Sequence, residues 1–370
     1  STVSWDFKNN LGGMGILGTS AANKAVQQAD LIIGIGTRYT DFTSASKSIF
    51  NFEQAKMMNI NVSRQQAAKL EAFQVVGDAK ATLEQLAPMI EGYQTAYGEK
   101  IDELKEEWIS ERNRLKAAHF KRKDFTPEIK DHFSQEILNE YADALATNLT
   151  QTEVFIHLND FVDEDAIVIG SAGSLPGDMQ RLWNPVKENT YHLEYGYSCM
   201  GYEIAGAMGV RMARPEQEVY ALVGDGSFLM LHSELVSSLQ YDKKINIVLF
   251  DNSGFGCINN LQMDNGGASQ GTEFRNTKDE IMNIDYAKVA EGYGAKTYRV
   301  SSIAELQAAV EDAKKQTRST LIEIKVLPKT MTEGYDGSWW NVGISEVSGK
   351  AAMQEAYKAK QAKLATIRKY

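Results

Sequence analysis

Val219-Tyr220-Ala221-Leu222-Val223-Gly224-Asp225-Gly226-Ser227 and Ile245-Asn246-Ile247-Val248-Leu249-Phe250-Asp251-Asn252-Ser253-Gly254 decide the fold. Each is a short, nearly unbroken apolar run that stops on a polar turn carrying glycine. Runs of this length, rich in β-branched residues, read as strands buried on both faces. Helical spacing follows each of them, at 231–240 and 286–293. The alternation continues outward, with strands at 166–170, 296–300 and 320–326 and helices at 201–213 and 303–315. Helices at 134–147 and 153–161 precede it, the first marked by Ile137, Leu138, Tyr141, Ala142 and Leu145. Strands alternating with helices predict a doubly wound α/β domain with a mostly parallel sheet, whose ligands sit outside the carboxyl ends of the strands.

The beginning of the chain repeats the pattern on a smaller scale. A helix at 19–28, with Thr19 and Ser20 suited to its N-cap, offers Ala21, Ala22, Ala25, Val26 and Ala29 to a core. Leu31-Ile32-Ile33-Gly34-Ile35 reads as a buried parallel strand, followed by strands at 57–62 and 73–76 and a helix at 79–90. This is a second doubly wound domain without its first strands. The chain opens without methionine and runs into Leu11-Gly12-Gly13-Met14-Gly15, which reads like the middle of a domain, so a truncated chain is expected. Lys100, Asp102, Glu103, Lys105, Glu106, Glu107, Glu111, Arg112 and Arg114 then crowd a segment with few apolar residues, which predicts a solvated helical connector. The expected organisation is a partial α/β domain at 1–93, a charged helical linker at 94–131, a second α/β domain at 132–330 and a tail with a closing helix at 331–370.

Composition narrows the function. A hydrophobic content of 43% supports a globular core, and a net charge of -10 argues against a nucleic-acid partner, because Lys121-Arg122-Lys123 is too short a basic run to offset it. No apolar run approaches the roughly 20 residues that span a bilayer, and the start lacks a signal-peptide pattern; no membrane partner and a cytoplasmic location are expected. Two cysteines, Cys199 and Cys257, read as reduced thiols.

The strand-end turns carry the chemistry. Glycines at 224 and 226 let backbone approach a phosphate, and a following helix offers its N-H groups to an anion. On adjacent strands, Asp225 and Asn252 come side by side. A carboxylate, an amide oxygen and a loop carbonyl, with two phosphate oxygens and a water, complete the octahedron that Mg2+ demands. Gly-Asp-Gly alone is as readily an ordinary tight turn; the pairing with Asn252 lifts it above that. Gly34-Ile35-Gly36 and Gly224-Asp225-Gly226 both lack the third glycine of a dinucleotide fingerprint.

Ser198-Cys199-Met200-Gly201-Tyr202-Glu203-Ile204-Ala205-Gly206-Ala207-Met208-Gly209, followed by the Gly-Asp-Gly turn and the later Asn252, resembles the acetolactate synthase and pyruvate decarboxylase superfamily of thiamine diphosphate enzymes. The resemblance covers essentially the whole chain, with 1–90 like the later part of that family's central domain and 132–330 like its diphosphate-binding domain. It implies thiamine diphosphate and Mg2+ as cofactors. Asp225 and Asn252 would hold the metal by side chain and Gly254 by its carbonyl. Gly224, Gly226 and Ser227 would hold phosphate, Ser227 through its N-H and its hydroxyl, and Gly173, Ser174 and Leu175 match the first diphosphate loop. Leu175 departs from the polar residues usual there. Met200 matches the residue that props the cofactor into a V shape, or else is a core gap-filler. Ser198 stands where synthases have glycine beside the aminopyrimidine. No catalytic residue is assigned, because the activating glutamate of this family lies in an N-terminal domain of a neighbouring subunit, which this chain does not resemble. The expectation is therefore a C-terminal fragment that holds the diphosphate but does not turn over alone, from a homodimer or homotetramer with its active site between subunits.

The ending Gly337-Ser338-Trp339-Trp340-Asn341-Val342-Gly343-Ile344-Ser345-Glu346-Val347-Ser348 resembles the inositol-catabolism branch of that family. It implies hydrolytic carbon-carbon cleavage of a small polyhydroxylated cyclic 1,2-diketone to 5-deoxyglucuronate. The alternatives are an acetolactate synthase-like or 2-oxo acid decarboxylase-type lyase, and a non-catalytic cofactor-holding or assembly module, which would be expected to lack Asp225 and Asn252. His192, Tyr195 and Tyr197 either line a substrate pocket or are ordinary half-buried aromatics. Trp339 and Trp340 form a lid or pack the tail. His232 and Glu234 fall in the helix after Gly-Asp-Gly, where Glu234 reads as structural.

Overall fold

The computed structural model describes residues 3–368. They divide into two compact units, Leu11–Ser110 with 334–368, and 3–10 with Glu111–Glu333. Both are α/β with parallel sheets.

The smaller unit runs through α1 (Ser20–Gln28), β1 (Leu31–Ile35), α2 (Asp41–Ser44), β2 (Lys56–Asn61), α3 (Arg64–Ala67), β3 (Phe73–Val76), α4 (Ala79–Met89) and the first turns of α5 (Gly98–Lys116). Thr19 caps α1 by accepting from the Ala22 N-H at 3.0 Å. The sheet order is β1-β2-β3. One face packs on Tyr39, Ile49, Phe50, Met57 and Leu70. β1 is a parallel strand as expected but buried on one face only: Leu31, Ile33 and Ile35 are 47%, 43% and 44% exposed, because alternate side chains point to opposite faces and only the Ile32 face meets that core. In α1 the buried residue besides Ala21 and Ala22 is Asn23, whose amide clasps Gly15 through both N-H and carbonyl and also donates to the Tyr335 carbonyl.

The charged connector also needs correcting. Its helix α5 stops at Lys116, and 117–133 is turn and coil. Leu104, Trp108 and Leu115 are fully buried along one side, with the Trp108 ring edge-on to Tyr335 at 5.2 Å. The stripe of three large apolar residues is diluted by the charges around it.

The larger unit contains α6 (Gln135–Leu145), α7 (Gln151–Phe161), β4 (Ile167–Gly170), α8 (Leu175–Leu182), β5 (Tyr191–Leu193) and α9 (Tyr202–Ala213). It continues with β6 (Val219–Gly224), α10 (Asp225–Leu231), α11 (Glu234–Gln240), β7 (Asn246–Asp251), α12 (Gly256–Asp264), α13 (Tyr286–Tyr293), β8 (Lys296–Val300), α14 (Ile303–Lys315) and β9 (Thr320–Lys325). The parallel sheet has the order β5-β4-β6-β7-β9-β8. Strands β6 and β7 are buried on both faces, one face covered by Ile204, Ala207, Phe228, Leu235 and Tyr286. Each such side chain contributes about 1.5–3 kcal/mol by burial, so the turns at their carboxyl ends are anchored to the most stable part of the unit. The single helix expected after Gly224 is two short ones, and Asp225 opens the first of them. The elements α8 and β5 were not expected; Tyr-His-Leu is too short and polar to read as a strand.

The chain runs from β4 outward to β5 and returns through α9 to β6 on the opposite side of β4. The strand order therefore reverses between β4 and β6, the place where α/β sheets open a ligand crevice at their carboxyl ends.

The tail belongs to the smaller unit. Trp339 lies against Phe42 at 4.9 Å, and the buried Trp340 donates its indole N-H to the Ala45 carbonyl and Ser48 Oγ, each at 3.2 Å. Lys363, in α15 (Ala351–Thr366), lies over the Trp340 ring. The tryptophan pair packs the tail.

Candidate functional site

Strands β6 and β7 pair in a register that sets Gly224 opposite Phe250. The turns that follow therefore meet. The Asp225 carboxylate, 2% exposed, accepts from the Gly226 N-H at 2.9 Å through Oδ1 and from the Gly254 N-H at 2.8 Å through Oδ2. Only glycine fits at these two positions: a Cβ on Gly226 would lie 2.5 Å from the Phe255 ring, and one on Gly254 2.4 Å from the Thr272 carbonyl oxygen. Beside them Asn252 is buried, and its Oδ1 has no hydrogen-bond partner among the described residues. An unpaired buried amide oxygen costs about 1–3 kcal/mol, a cost that a cation or a ligand donor would remove.

Electrostatics point the same way. Burial, and then the Asp251 carboxylate beside it, hold Asp225 well above the usual carboxylate range, against the pull of the Gly254 and Gly226 N-H groups. Asp251 pairs with Lys325, which also pairs with Glu323 at 2.7 Å and donates to the Ile284 carbonyl at 2.5 Å. Asp225, Asp251 and Glu323 are all buried, and Lys325 is the cation these ion pairs supply, which leaves a formal excess of negative charge at the carboxyl ends of β6, β7 and β9. No group of three His, Cys, Asp or Glu side chains among the described residues has metal-binding geometry. The donors here are one carboxylate, one amide oxygen and backbone carbonyls, a hard set suited to Mg2+ rather than to a softer metal.

The loops at the strand-order reversal carry the remaining candidates. Gly173 follows β4 with φ +84° and open space where its side chain would be. Ser174 Oγ donates to Gln151 Oε1 at 3.2 Å. Leu175, 2% exposed, starts α8, so its side chain is core. In the 194–201 loop, Ser198 has φ +54° and donates its hydroxyl to the Ser171 carbonyl at 3.3 Å; Met200 is half-buried. Gly201, at φ +89°, leaves no room for a Cβ, which would meet Leu231 Cβ at 2.5 Å. Ser227 is buried.

One buried acid among these loops escaped the sequence reading. Glu203 has no exposed surface, accepts from Ala172, Gly201 and Ser227, and is pushed up by burial against those donors. An acid in the first turn of a helix ordinarily reads as a solvated partner of the helix dipole; its being the one charged residue in Tyr202-Glu203-Ile204-Ala205-Gly206-Ala207 was the available signal. Tyr197 is 91% exposed, and His192 is exposed with a ring nitrogen 3.1 Å from the Asn189 carbonyl. His232 sits between the Phe228 and Tyr293 rings and pairs with the Tyr293 hydroxyl at 2.9 Å. Glu234 opens α11.

Parallel α/β units with an oxygen-rich pair of turns beside a strand-order reversal are the setting of a thiamine pyrophosphate-binding domain, and the chain belongs to the family of thiamine pyrophosphate enzymes. The C-terminal TPP binding domain of thiamine pyrophosphate enzymes matches residues 171–324 and the central domain of the same enzymes matches residues 1–86. Over 370 residues, all of this chain and 58% of the relative, it is 65% identical to the 3D-(3,5/4)-trihydroxycyclohexane-1,2-dione hydrolase of Bacillus licheniformis. The enzyme of the same name from Bacillus subtilis is 64% identical over 370 residues, and that from Listeria monocytogenes 65% over 371, again with 100% of this chain and 58% of the relative covered. The chain thus spans 58% of the length of these relatives.

Proposed function

We propose that this chain is the diphosphate-holding part of a thiamine diphosphate- and Mg2+-dependent enzyme that hydrolyses the bond between the two adjacent carbonyls of a polyhydroxylated cyclohexane-1,2-dione. In the balanced reaction one water is added, the carbon-carbon bond breaks, and the ring opens to a chain with a carboxylate at one end and an aldehyde-level carbon at the other. Thiamine diphosphate, when bound, supplies the carbon nucleophile and electron sink for that cleavage. The observation that carries the reading is Asn252 Oδ1, without a partner among the described residues, beside an Asp225 carboxylate held by the Gly254 turn.

Asp225 and Asn252, with the Gly254 carbonyl, would hold Mg2+ and through it a diphosphate. Gly224, Gly226 and Ser227 would present backbone to one end of the diphosphate, and Gly173, Ser174 and Leu175 theirs to the other, across the crevice between β4 and β6. Met200 and the left-handed Ser198 would support the organic part of the cofactor. The names of the relatives supply the substrate, and the absence from the described residues of any helix long and apolar enough to span a membrane fits a cytoplasmic metabolic role. Activation of the cofactor by a glutamate from a neighbouring subunit, and so a homodimer or homotetramer, completes the proposal.

The experiment is a paired assay of the full-length protein with thiamine diphosphate and Mg2+, offering the ring dione and, separately, pyruvate. Ring opening with no acetolactate formed is expected. Acetolactate from pyruvate with the ring dione untouched would replace this reading with the synthase-like one.

A further inference from the structure

We infer that Glu203 is the positioning residue of the diphosphate cradle, a buried carboxylate that ties the loop after β4, the loop before α9 and the turn after β6 into one unit and commits the Ser227 hydroxyl to that task. The inference rests on the cofactor reading above. Glu203 is the second residue of α9 and has no exposed surface. Its Oε1 accepts from the Ala172 N-H at 3.1 Å and Ser227 Oγ at 3.0 Å; its Oε2 accepts from the Gly201 N-H at 3.0 Å and Ser227 Oγ at 2.9 Å. The Gly201 N-H is also 2.8 Å from Ser227 Oγ. Three donors from three separate segments thus converge on one side chain, and all three segments border the strand-order reversal.

Only an ionised carboxylate satisfies this arrangement in full, because it accepts at both oxygens, whereas an amide would turn an N-H2 group toward one of the donors. The consequence for Ser227 is specific. A hydroxyl has one proton to donate; here that proton goes to Glu203 while the oxygen accepts from Gly201. None is left for a phosphate oxygen, so the ligand contact at 227 falls to the backbone N-H, and the hydroxyl contact expected from the family resemblance is replaced by an internal one. The same carboxylate fixes Gly201 at φ +89°, next to a second left-handed residue, Ser198. Glu194 performs the matching task on the outer half of that loop, accepting from the Tyr197 and Cys199 N-H groups and from Ser171 Oγ, each at 3.1 Å. Positions 171 and 172 link the two carboxylates, so the loop between Glu194 and Glu203 is pinned at both ends to the same strand end.

The test compares wild type, Glu203→Ala, Glu203→Gln and Ser227→Ala in the full-length protein, titrated calorimetrically with thiamine diphosphate and with inorganic pyrophosphate, each with Mg2+. Far-ultraviolet circular dichroism and ligand-free melting monitor the fold. The expected order of weakening is Glu203→Ala, on the order of 100-fold, then Glu203→Gln, about 10-fold, then Ser227→Ala, least of all, in line with losses seen when groups behind a ligand shell are removed. Should Glu203→Ala fail to fold, the near-isosteric Glu203→Gln against Ser227→Ala carries the same ordering. A loss for Ser227→Ala that equals or exceeds the Glu203 losses overturns the inference, since it makes the hydroxyl a direct phosphate donor; so does wild-type affinity in the Glu203 variants. Failure of the wild type to bind either probe is a different result, which removes the cofactor reading itself and the inference with it.

Discussion

Strands β1 and β6 are both short apolar runs, Leu-Ile-Ile-Gly-Ile and Val-Tyr-Ala-Leu-Val-Gly, and each meets a glycine turn, yet their surroundings differ. In the larger unit β6 has a strand on either side and cover on both faces; its turn buries an acid beside an amide oxygen that has no partner among the described residues. In the smaller unit β1 is an edge strand with one apolar face exposed, and no comparable set of buried acids gathers at its carboxyl end among the described residues. A strand with a glycine turn is a scaffold. What makes one a site is unsatisfied polarity held in place by a core too well packed to let it relax.

The largest test of that contrast compares ion pairs. Lys325→Met leaves Asp251 and Glu323 buried without their cation and should destabilise the larger unit by about 3–5 kcal/mol. Lys24→Met, which removes an exposed, solvent-screened pair with Glu107 in the smaller unit, should leave stability essentially unchanged. Urea unfolding of both variants checks this, and equal effects would erase the distinction between the units.

Packing gives the next contrast. Val223→Ala, in fully buried β6, should lose on the order of 2 kcal/mol through lost burial and a residual cavity. Ile33→Ala, on the exposed face of β1, should lose less than about 1 kcal/mol in this chain. Reversed magnitudes would mean that the face of β1 is packed in solution.

Lys329 sharpens the comparison through pH. It is buried in the larger unit, donating to Asn259 and Asn260 Oδ1 and lying over the Phe133 ring near His132, and burial lowers it to about 8. A lysine whose folded value lies below its unfolded one is protonated in the unfolded chain and neutral in the folded one between the two. Stability carried by this group therefore rises with pH from about 8 toward the unfolded value near 10.4, by up to roughly 3 kcal/mol. The rise, measured by denaturant unfolding across that window, should be missing in Lys329→Met; a flat difference between the two proteins contradicts it.

The smallest effect on stability is the most telling about function. Asn252→Ala removes a buried oxygen that has no hydrogen-bond partner among the described residues, so relief of that unpaired group should offset the lost packing and ligand-free stability should fall by no more than about 1 kcal/mol. Stabilisation by thiamine diphosphate with Mg2+, read by thermal melting, should nevertheless disappear. A large ligand-free loss would reveal a structural role for the amide.

The paired turns were legible in the sequence because strands buried on both faces have an unmistakable apolar run and the residues just beyond the run are where chemistry gathers. Asp225, Asn252, Gly224 and Gly226 could be singled out as candidates that way. Burial that depends on distant neighbours could not: β1 looks buried in isolation, and Leu104, Trp108 and Leu115 are hidden by surrounding charge. Short polar elements such as β5 gave no periodic signal. Glu203 and Asn23 were missed for a shared reason, since a polar residue on a helix reads as solvated until the partners that bury it, at 172 and 227 for one and at 15 and 335 for the other, are brought in by the fold.

The central claim is that one divalent cation is shared by the turns after β6 and β7. Crystals of the full-length protein grown with thiamine diphosphate and Mn2+ in place of Mg2+, with anomalous data collected at the manganese edge, test it directly. The account predicts one strong peak about 2.0–2.3 Å from a carboxylate oxygen of Asp225, Asn252 Oδ1 and the Gly254 carbonyl. A well-ordered cofactor whose metal lies elsewhere, with Asn252 Oδ1 still facing no partner, would contradict it.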